Sequence, residues 1–375
     1  MNDQVPFNDL SRSNKEMNQA IAQKMAEISI SGNYILGPEV SAFEGELSDY
    51  LQVRNCIGVA SGTDALTLSL VALGVKRDDS ILTMANAGSY TTIASRSIGA
   101  EPIFVDVSPD SLQMTLEAVK RSLEAAYQSG LKPKAIVISH LFGQLNQATE
   151  EIVSFAKGAS ISVIEDCAQS LGARNSNGMA GSFGDLSTFS FYPTKNLGAA
   201  GDGGAVAGNN IELANKVKKL RQYGWANKYN IDLAGGRNSR LDEIQAAVLR
   251  IKLPNLDQWN EERRRIFQQY LEAASSAVKF YSSTNSDFVG HLAPITVSGV
   301  SQLELARYFG DLGIQTSIHF PVPDHKQNLD LKYRDLVPLP FTESSCESLV
   351  TLPIFPEMSE SEIARVCNGL SKVGV

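Results

Sequence analysis

The stretch Ile57-Gly58-Val59-Ala60-Ser61-Gly62-Thr63-Asp64-Ala65-Leu66-Thr67-Leu68-Ser69-Leu70-Val71-Ala72-Leu73 decides the fold. Ile57 to Ala60 is a short apolar run and reads as a strand. Ser61-Gly62 breaks it, and Thr63 to Leu73 then follows helical spacing. The same unit recurs outward along the chain. Ile103-Phe104-Val105 is a second apolar run, followed by a helix from about Thr115. Ala135-Ile136-Val137-Ile138 is a third, with a helix from about Ala148, and Ile161 to Ile164 is a fourth. Such runs, apolar throughout and rich in β-branched residues, suit strands buried on both faces. Repetition of strand, helix, strand predicts an α/β fold whose mostly parallel, mixed sheet is flanked by helices. In such sheets ligands bind beyond the carboxyl ends of the strands, so the polar residues just after each run are the candidates for chemistry.

The whole chain has 375 residues, of which 43% are hydrophobic and 20% charged. That composition excludes disorder, collagen and coiled coil as descriptions of the whole chain. Its 33 basic and 41 acidic residues leave a formal charge of −8, which argues against a dedicated nucleic-acid binder. Cys56, Cys167, Cys346 and Cys367 form no CxxC pair and match no zinc spacing, so free thiols in a reducing compartment and no metal are expected. The amino-terminal MNDQVPFNDL is acidic and lacks an apolar run, and no stretch of about 18 apolar residues occurs; a cytoplasmic location without a membrane anchor is expected. From about Leu241 the texture changes. A helical pattern runs through Leu241, Ile244, Ala247, Val248 and Ile251 until Pro254, and another runs from Trp259 to about Ala273. A large domain over 1–250 and a smaller carboxyl-terminal α+β domain over 251–375 are expected. The run Glu261-Glu262-Arg263-Arg264-Arg265 reads as a solvated helix face of mixed charge rather than a nucleic-acid patch.

Four segments fall after strands. Ser61-Gly62-Thr63-Asp64-Ala65 suits an anion at a helix start, and equally an ordinary N-cap. Glu165-Asp166-Cys167-Ala168-Gln169 puts Asp166 at the sheet's carboxyl edge, where it either meets a ligand or caps the next helix. Ser187 to Phe191 alternates like a strand, and Pro193 forces a loop that holds Lys195. A lysine there either points to solvent or is a partly buried amine of depressed pKa, suited to Schiff-base chemistry. Gly201-Asp202-Gly203-Gly204 lets the chain turn back into a strand at Ala205-Val206.

Taken in order, these segments resemble the large domain of fold type I pyridoxal-phosphate enzymes. More narrowly, the chain resembles the sugar aminotransferases of the DegT/DnrJ/EryC1/StrS family over nearly its whole length. The resemblance rests on Gly32-Asn33-Tyr34-Ile35-Leu36-Gly37-Pro38, Ser61-Gly62-Thr63-Asp64-Ala65-Leu66, His140-Leu141-Phe142-Gly143-Gln144, Glu165-Asp166-Cys167-Ala168-Gln169, Phe189-Ser190-Phe191-Tyr192-Pro193-Thr194-Lys195-Asn196, Asn238-Ser239-Arg240-Leu241-Asp242-Glu243-Ile244-Gln245 and His319-Phe320-Pro321-Val322-Pro323.

The resemblance implies a pyridoxal 5′-phosphate cofactor, cycling through pyridoxamine phosphate. It makes Lys195 the Schiff-base lysine and Asp166 the partner of the pyridine nitrogen. Gln169 would lie near the ring hydroxyl, and Gly62, Thr63 and Ser190 would hold the phosphate. Asn238 would reach the phosphate of a neighbouring subunit, which implies a homodimer with shared sites. The family places a large residue against the ring where this chain has Gly88, so Tyr90 is the candidate for that role. The implied reaction moves an amino group from glutamate to a nucleotide-linked keto-deoxysugar, at C3 in the versions that Tyr223-Gly224-Trp225 and the His319 to His325 stretch resemble. Tyr34, Tyr223, Lys228, Arg240, His319 and His325 are the substrate candidates. Two alternatives stay open. One is a pyridoxamine-phosphate sugar dehydratase, in which a histidine replaces the lysine. The other is a sensor or regulator without catalysis, which needs no transaminating amine.

Overall fold

The computed structural model describes residues 4–12, 15 and 17–374. Two helices come first, α1 (Asn18–Ser31) and α2 (Pro38–Leu51). The main sheet follows: β1 (Asn55–Val59), α3 (Gly62–Ala72), β2 (Ser80–Met84), α4 (Tyr90–Ser97), β3 (Glu101–Val105), α5 (Leu116–Gln128), β4 (Pro133–Ser139), α6 (Thr149–Gly158), β5 (Ser162–Asp166), β6 (Leu186–Ser190), β7 (Gly204–Gly208) and α7 (Ile211–Leu220). A small hairpin, β8 (Trp225–Asn227) and β9 (Asn230–Ile231), leads to α8 (Glu243–Lys252) and α9 (Leu256–Ala273). The rest is β10 (Val278–Phe280), β11 (Ala293–Val297), α10 (Gln302–Asp311), α11 (Pro340–Ser348), β12 (Val350–Leu352) and α12 (Glu360–Lys372).

The seven-stranded sheet runs in the order β1-β7-β6-β5-β4-β2-β3. Every pair from β6 through β3 is parallel, while β7 is antiparallel to both β6 and β1. The mixed α/β sheet expected from the alternating runs is therefore present, and each run that reads as a strand lies in it. β2 is the strand that the apolar pattern did not single out: Ser80-Ile81-Leu82-Thr83-Met84 carries two hydroxyls, and both are buried because the strand is flanked on two sides by β3 and β4. A separate antiparallel sheet, β10-β11-β12, packs with α9, α10 and α12 around Phe267, Phe288, Phe309 and Val366. Val5 belongs to this second core, because the amino-terminal segment pairs with Ile314. The boundary expected after residue 250 falls within α8. Among the described residues no helix is long and apolar enough to cross a membrane. The four cysteines are free, three of them buried.

Register places the site. Ser139 on β4 lies beside Asp166 on β5, and Asp166 beside Thr188 on β6. Gly204, at the start of the antiparallel β7, pairs with both Val59 and Ser190. The carboxyl ends of β1, β4, β5 and β6 are thus drawn to one edge. Gly204 has to be glycine, since a Cβ there would lie 2.4 Å from the carbonyl carbon of Ser61.

Candidate active site

At that edge opens a cavity of about 500 Å³. One wall is the start of α3. Ser61 takes the extended backbone of an N-cap, and its hydroxyl accepts from the Asp64 amide at 3.1 Å. Gly62 and Thr63 then open the helix, with amide groups that no preceding turn can satisfy. A Cβ at Gly62 would lie 2.7 Å from that of Ser190, so only glycine lets the two segments close on each other. The result is a concave, amide- and hydroxyl-lined corner suited to a phosphate. The N-cap reading of this turn is realised by Ser61, and the amides of Gly62 and Thr63 stay open to an anion.

Asp166 ends β5 and is 9% exposed. Its carboxylate accepts from the Ala168 amide at 3.1 Å and the Ser139 hydroxyl at 3.3 Å. Burial raises its pKa, opposed by the Ala168 bond and by the charge of Lys195. Lys195 lies in the turn after Pro193, its backbone amide bonded to the Tyr192 carbonyl at 2.8 Å. Loss of hydration lowers its amine to about 8, and Asp166 holds it from falling further. No hydrogen bond engages that amine among the described residues. Gln169 Oε1 accepts from the Phe142 amide at 2.6 Å, which leaves its NH2 group toward the cavity it lines.

Tyr90 and Phe320 form another wall, edge to face at 6.3 Å. They explain the glycine at 88. A Cβ on Gly88 would come 2.9 Å from the Phe320 ring and 3.0 Å from Tyr90, and its φ is +78°. The space of a residue-88 side chain is filled by these two rings. Asp324, buried, holds this corner by accepting from the Ser89 amide at 2.9 Å and the Thr92 hydroxyl at 2.5 Å. Gly88→Val is expected to lower stability by at least about 1–3 kcal/mol from backbone strain alone, seen as a lower thermal midpoint. An unchanged midpoint would mean that neither the backbone at φ +78° nor the two rings resist a side chain there.

Gly62, Thr63, Tyr90, Asp166, Gln169, Ser190, Lys195 and His319 all line the cavity. The other sequence candidates do not. His325 is buried against Phe104 and pairs with Glu343 at 2.9 Å. Tyr34 is 44% exposed and bonds the Ser29 carbonyl. Tyr223 stacks on Trp225 at 4.9 Å, and Lys228 lies over the ring of Tyr229. Asn238 and Arg240 lie beyond β1, next to Ser239, whose hydroxyl accepts from the Ala60 amide.

Sequence reading missed Phe7, Asn8 and His291, which also line the cavity. Phe7 stacks on His319 at 5.8 Å. It arrives from the amino terminus, and no periodicity there could announce it. His291 sits 2.9 Å from Asn196 Oδ1. The Asn196 NH2 is already committed to Asn260 and the Val289 carbonyl, so its oxygen accepts and His291 Nδ1 carries the proton. Burial, with the charges of Lys195 and Arg263 nearby, holds His291 well below the usual histidine range. Burial likewise takes His319 down to about 4. Two neutral imidazoles therefore flank the lysine. Beneath Asp166, His140, Glu165 and Cys167 also cluster. Glu165 there accepts from His140 and from the amides of Gly181, Phe183 and Gly184, which makes it a strut for the loop before β6.

Comparison with known proteins agrees with this geometry. A chain of 39% identity over 371 residues, covering 99% of both proteins, is the dTDP-3-amino-3,6-dideoxy-alpha-D-galactopyranose transaminase of Aneurinibacillus thermoaerophilus. Another, 35% identical and covering 96% of this chain and 95% of its own, is called a pleiotropic regulatory protein in Geobacillus stearothermophilus. The structure of NtdA from Bacillus subtilis with bound cofactor PMP superposes with a TM-score of 0.89 at 29% identity, covering 98% of this chain and 84% of that one. The DegT/DnrJ/EryC1/StrS aminotransferase family profile matches residues 15–371, and the chain belongs to that family.

Proposed function

We propose that this protein is a pyridoxal-phosphate aminotransferase that passes the amino group of glutamate to a keto-deoxysugar carried on a nucleotide, at C3. The observation that carries the reading is one cavity holding the Lys195 amine, the Asp166 carboxylate and the amide corner at Gly62 and Thr63. These residues fit the cofactor: an anion corner at one side, a buried carboxylate at another, and a lysine with no hydrogen-bond partner between them. When bound, the cofactor supplies an aldehyde for amines and a ring that accepts electrons from a substrate carbanion.

Gly62, Thr63 and Ser190 hold the phosphate through amides and hydroxyls. Asp166 faces the pyridine nitrogen and keeps it protonated. Gln169 donates toward the ring hydroxyl, and Tyr90 covers the ring. Lys195 Nζ, lowered to about 8, is partly neutral near pH 7 and can both attack a carbonyl and carry a proton. His319, neutral and stacked on Phe7, meets the sugar. The protein works in the cytoplasm as a homodimer. Support comes from the exposed apolar surface of Tyr34, Ile35, Tyr192, Tyr229 and Ile231. Asn238 lies outside its own chain's cavity; in the dimer Asn238 of the partner subunit reaches the phosphate. Tyr34, Tyr223, Lys228 and Arg240 meet the nucleotide in the same way, Lys228 and Arg240 at its diphosphate.

The regulatory name of the Geobacillus relative favours a sensor as the second reading. A half-reaction separates the two. Incubation with glutamate should convert bound cofactor to its amine form with stoichiometric 2-oxoglutarate, and nucleotide-linked 3-keto sugars should reverse the conversion. A protein that binds the cofactor and releases no 2-oxoglutarate would be the sensor.

A further inference from the structure

Behind the Lys195 turn lies a second, much smaller cavity of about 30 Å³, bordered by Asn8, Lys195, Lys252, Trp259 and Arg263. Arg263 is 7% exposed, yet its Nε and Nη1 have no hydrogen-bond partner. No carboxylate of the described residues forms an ion pair with it. Lys252 is 5% exposed, and its amine donates to the Gly198 carbonyl at 2.6 Å, again with no acid opposite. Two cations thus border one chamber with no ion pair among the described residues, the charge of Glu262 reaching Arg263 only from outside hydrogen-bond contact.

Burying a charge without a partner is costly. Burial lowers Arg263 to about 9, opposed by the charge of Glu262, and lowers Lys252 to about 8. By its pattern the mixed-charge run at 261–265 reads as a solvated helix face. Arg263 departs from that reading, because Asn260, Arg263 and Phe267 form the inner side of α9. Among the described residues Glu262 is the acid whose charge reaches it, and it forms no ion pair with Arg263. The chamber is large enough for one or two water-sized bodies. Its remaining walls mix apolar residues, Leu10, Pro193 and Trp259 among them, with the neutral polar Asn8, Thr194 and Asn196. A bulky phosphate or dicarboxylate has no room.

We infer that Arg263 and Lys252 form a binding site for a halide, in practice chloride, set directly behind the loop that carries Lys195. Chloride there accepts from the guanidinium Nε and Nη1, neutralises the buried pair and ties α8 and α9 to the loop 193–198. The chamber adjoins the large cavity, sharing Asn8, Thr194 and Lys195 with it, but the test below reads the ion and the thermal midpoint rather than turnover, so it does not depend on the aminotransferase reading.

The full chain should be crystallised and soaked in bromide, with anomalous scattering locating the ion. Bromide within ion-pair reach of Arg263 Nε is the expected result. In solution, the thermal midpoint should rise by about 2 °C or more when sodium chloride replaces sodium gluconate at equal ionic strength, and saturate. Arg263→Met should lose that chloride-specific rise. If Arg263→Met does not fold, Lys252→Met serves, and the bromide map of the unaltered chain still decides. No bromide in this chamber, or a chloride rise that survives the substitution, would overturn the proposal.

Discussion

Lys195→Ala is expected to end transamination while leaving the fold intact. Turnover should drop by at least about 10⁴-fold, the upper range for one positioned proton-transfer group, because the same nitrogen also serves as nucleophile. The fold should survive because the amine has no hydrogen bond to lose among the described residues and its burial is already unfavourable. The thermal midpoint should therefore stay level or rise slightly. Borohydride treatment should leave a cofactor mass on Lys195 of the unaltered protein and none on the variant. Turnover close to that of the unaltered protein would refute the role of this amine.

Asp166→Asn should reduce kcat on the order of 10²–10³-fold, the usual loss when one aimed electrostatic group is removed. The amide is nearly isosteric: its oxygen can accept from the Ala168 amide and its NH2 can donate to the Ser139 hydroxyl, which rotates to accept, so the loss reports charge rather than packing. A second readout follows from the sign of the coupling. In cofactor-free protein the reaction of Lys195 with an aldehyde probe should increase as pH rises through about 8, because only the neutral amine attacks. Asp166 raises the Lys195 pKa, so removing its charge must move that midpoint to lower pH. A midpoint that stays put would show that Asp166 does not act on this lysine, and near-normal kcat would give the ring nitrogen to another residue.

The place of these residues could be read from the sequence because each follows a strand, and the resemblance then implied their roles. A parallel strand that ends in a loop presents its next side chains at the carboxyl edge, whatever the rest of the chain does. That accounts for Ser61, Asp166 and Lys195. His291 and Phe7 obey no such rule. His291 reaches the cavity through the second sheet and the Asn196 bond, and Phe7 through pairing of the amino terminus with Ile314. His325, close in sequence to His319, turns instead into the core beneath α11, where Glu343 meets it.

Local patterning by itself determined the alternation of strands and helices and the edge at which chemistry gathers, while the resemblance to a family singled out the lysine and aspartate there. Hydrophobic period and turn chemistry act over a few residues, so one stretch suffices to read them. Only the tertiary structure decided what stands opposite those groups: two rings in place of a side chain at Gly88, neutral imidazoles beside Lys195, and a guanidinium buried on the inner side of α9. Most of these contacts join residues distant in the sequence, and a side chain's burial and charge state depend on neighbours that no local pattern encodes.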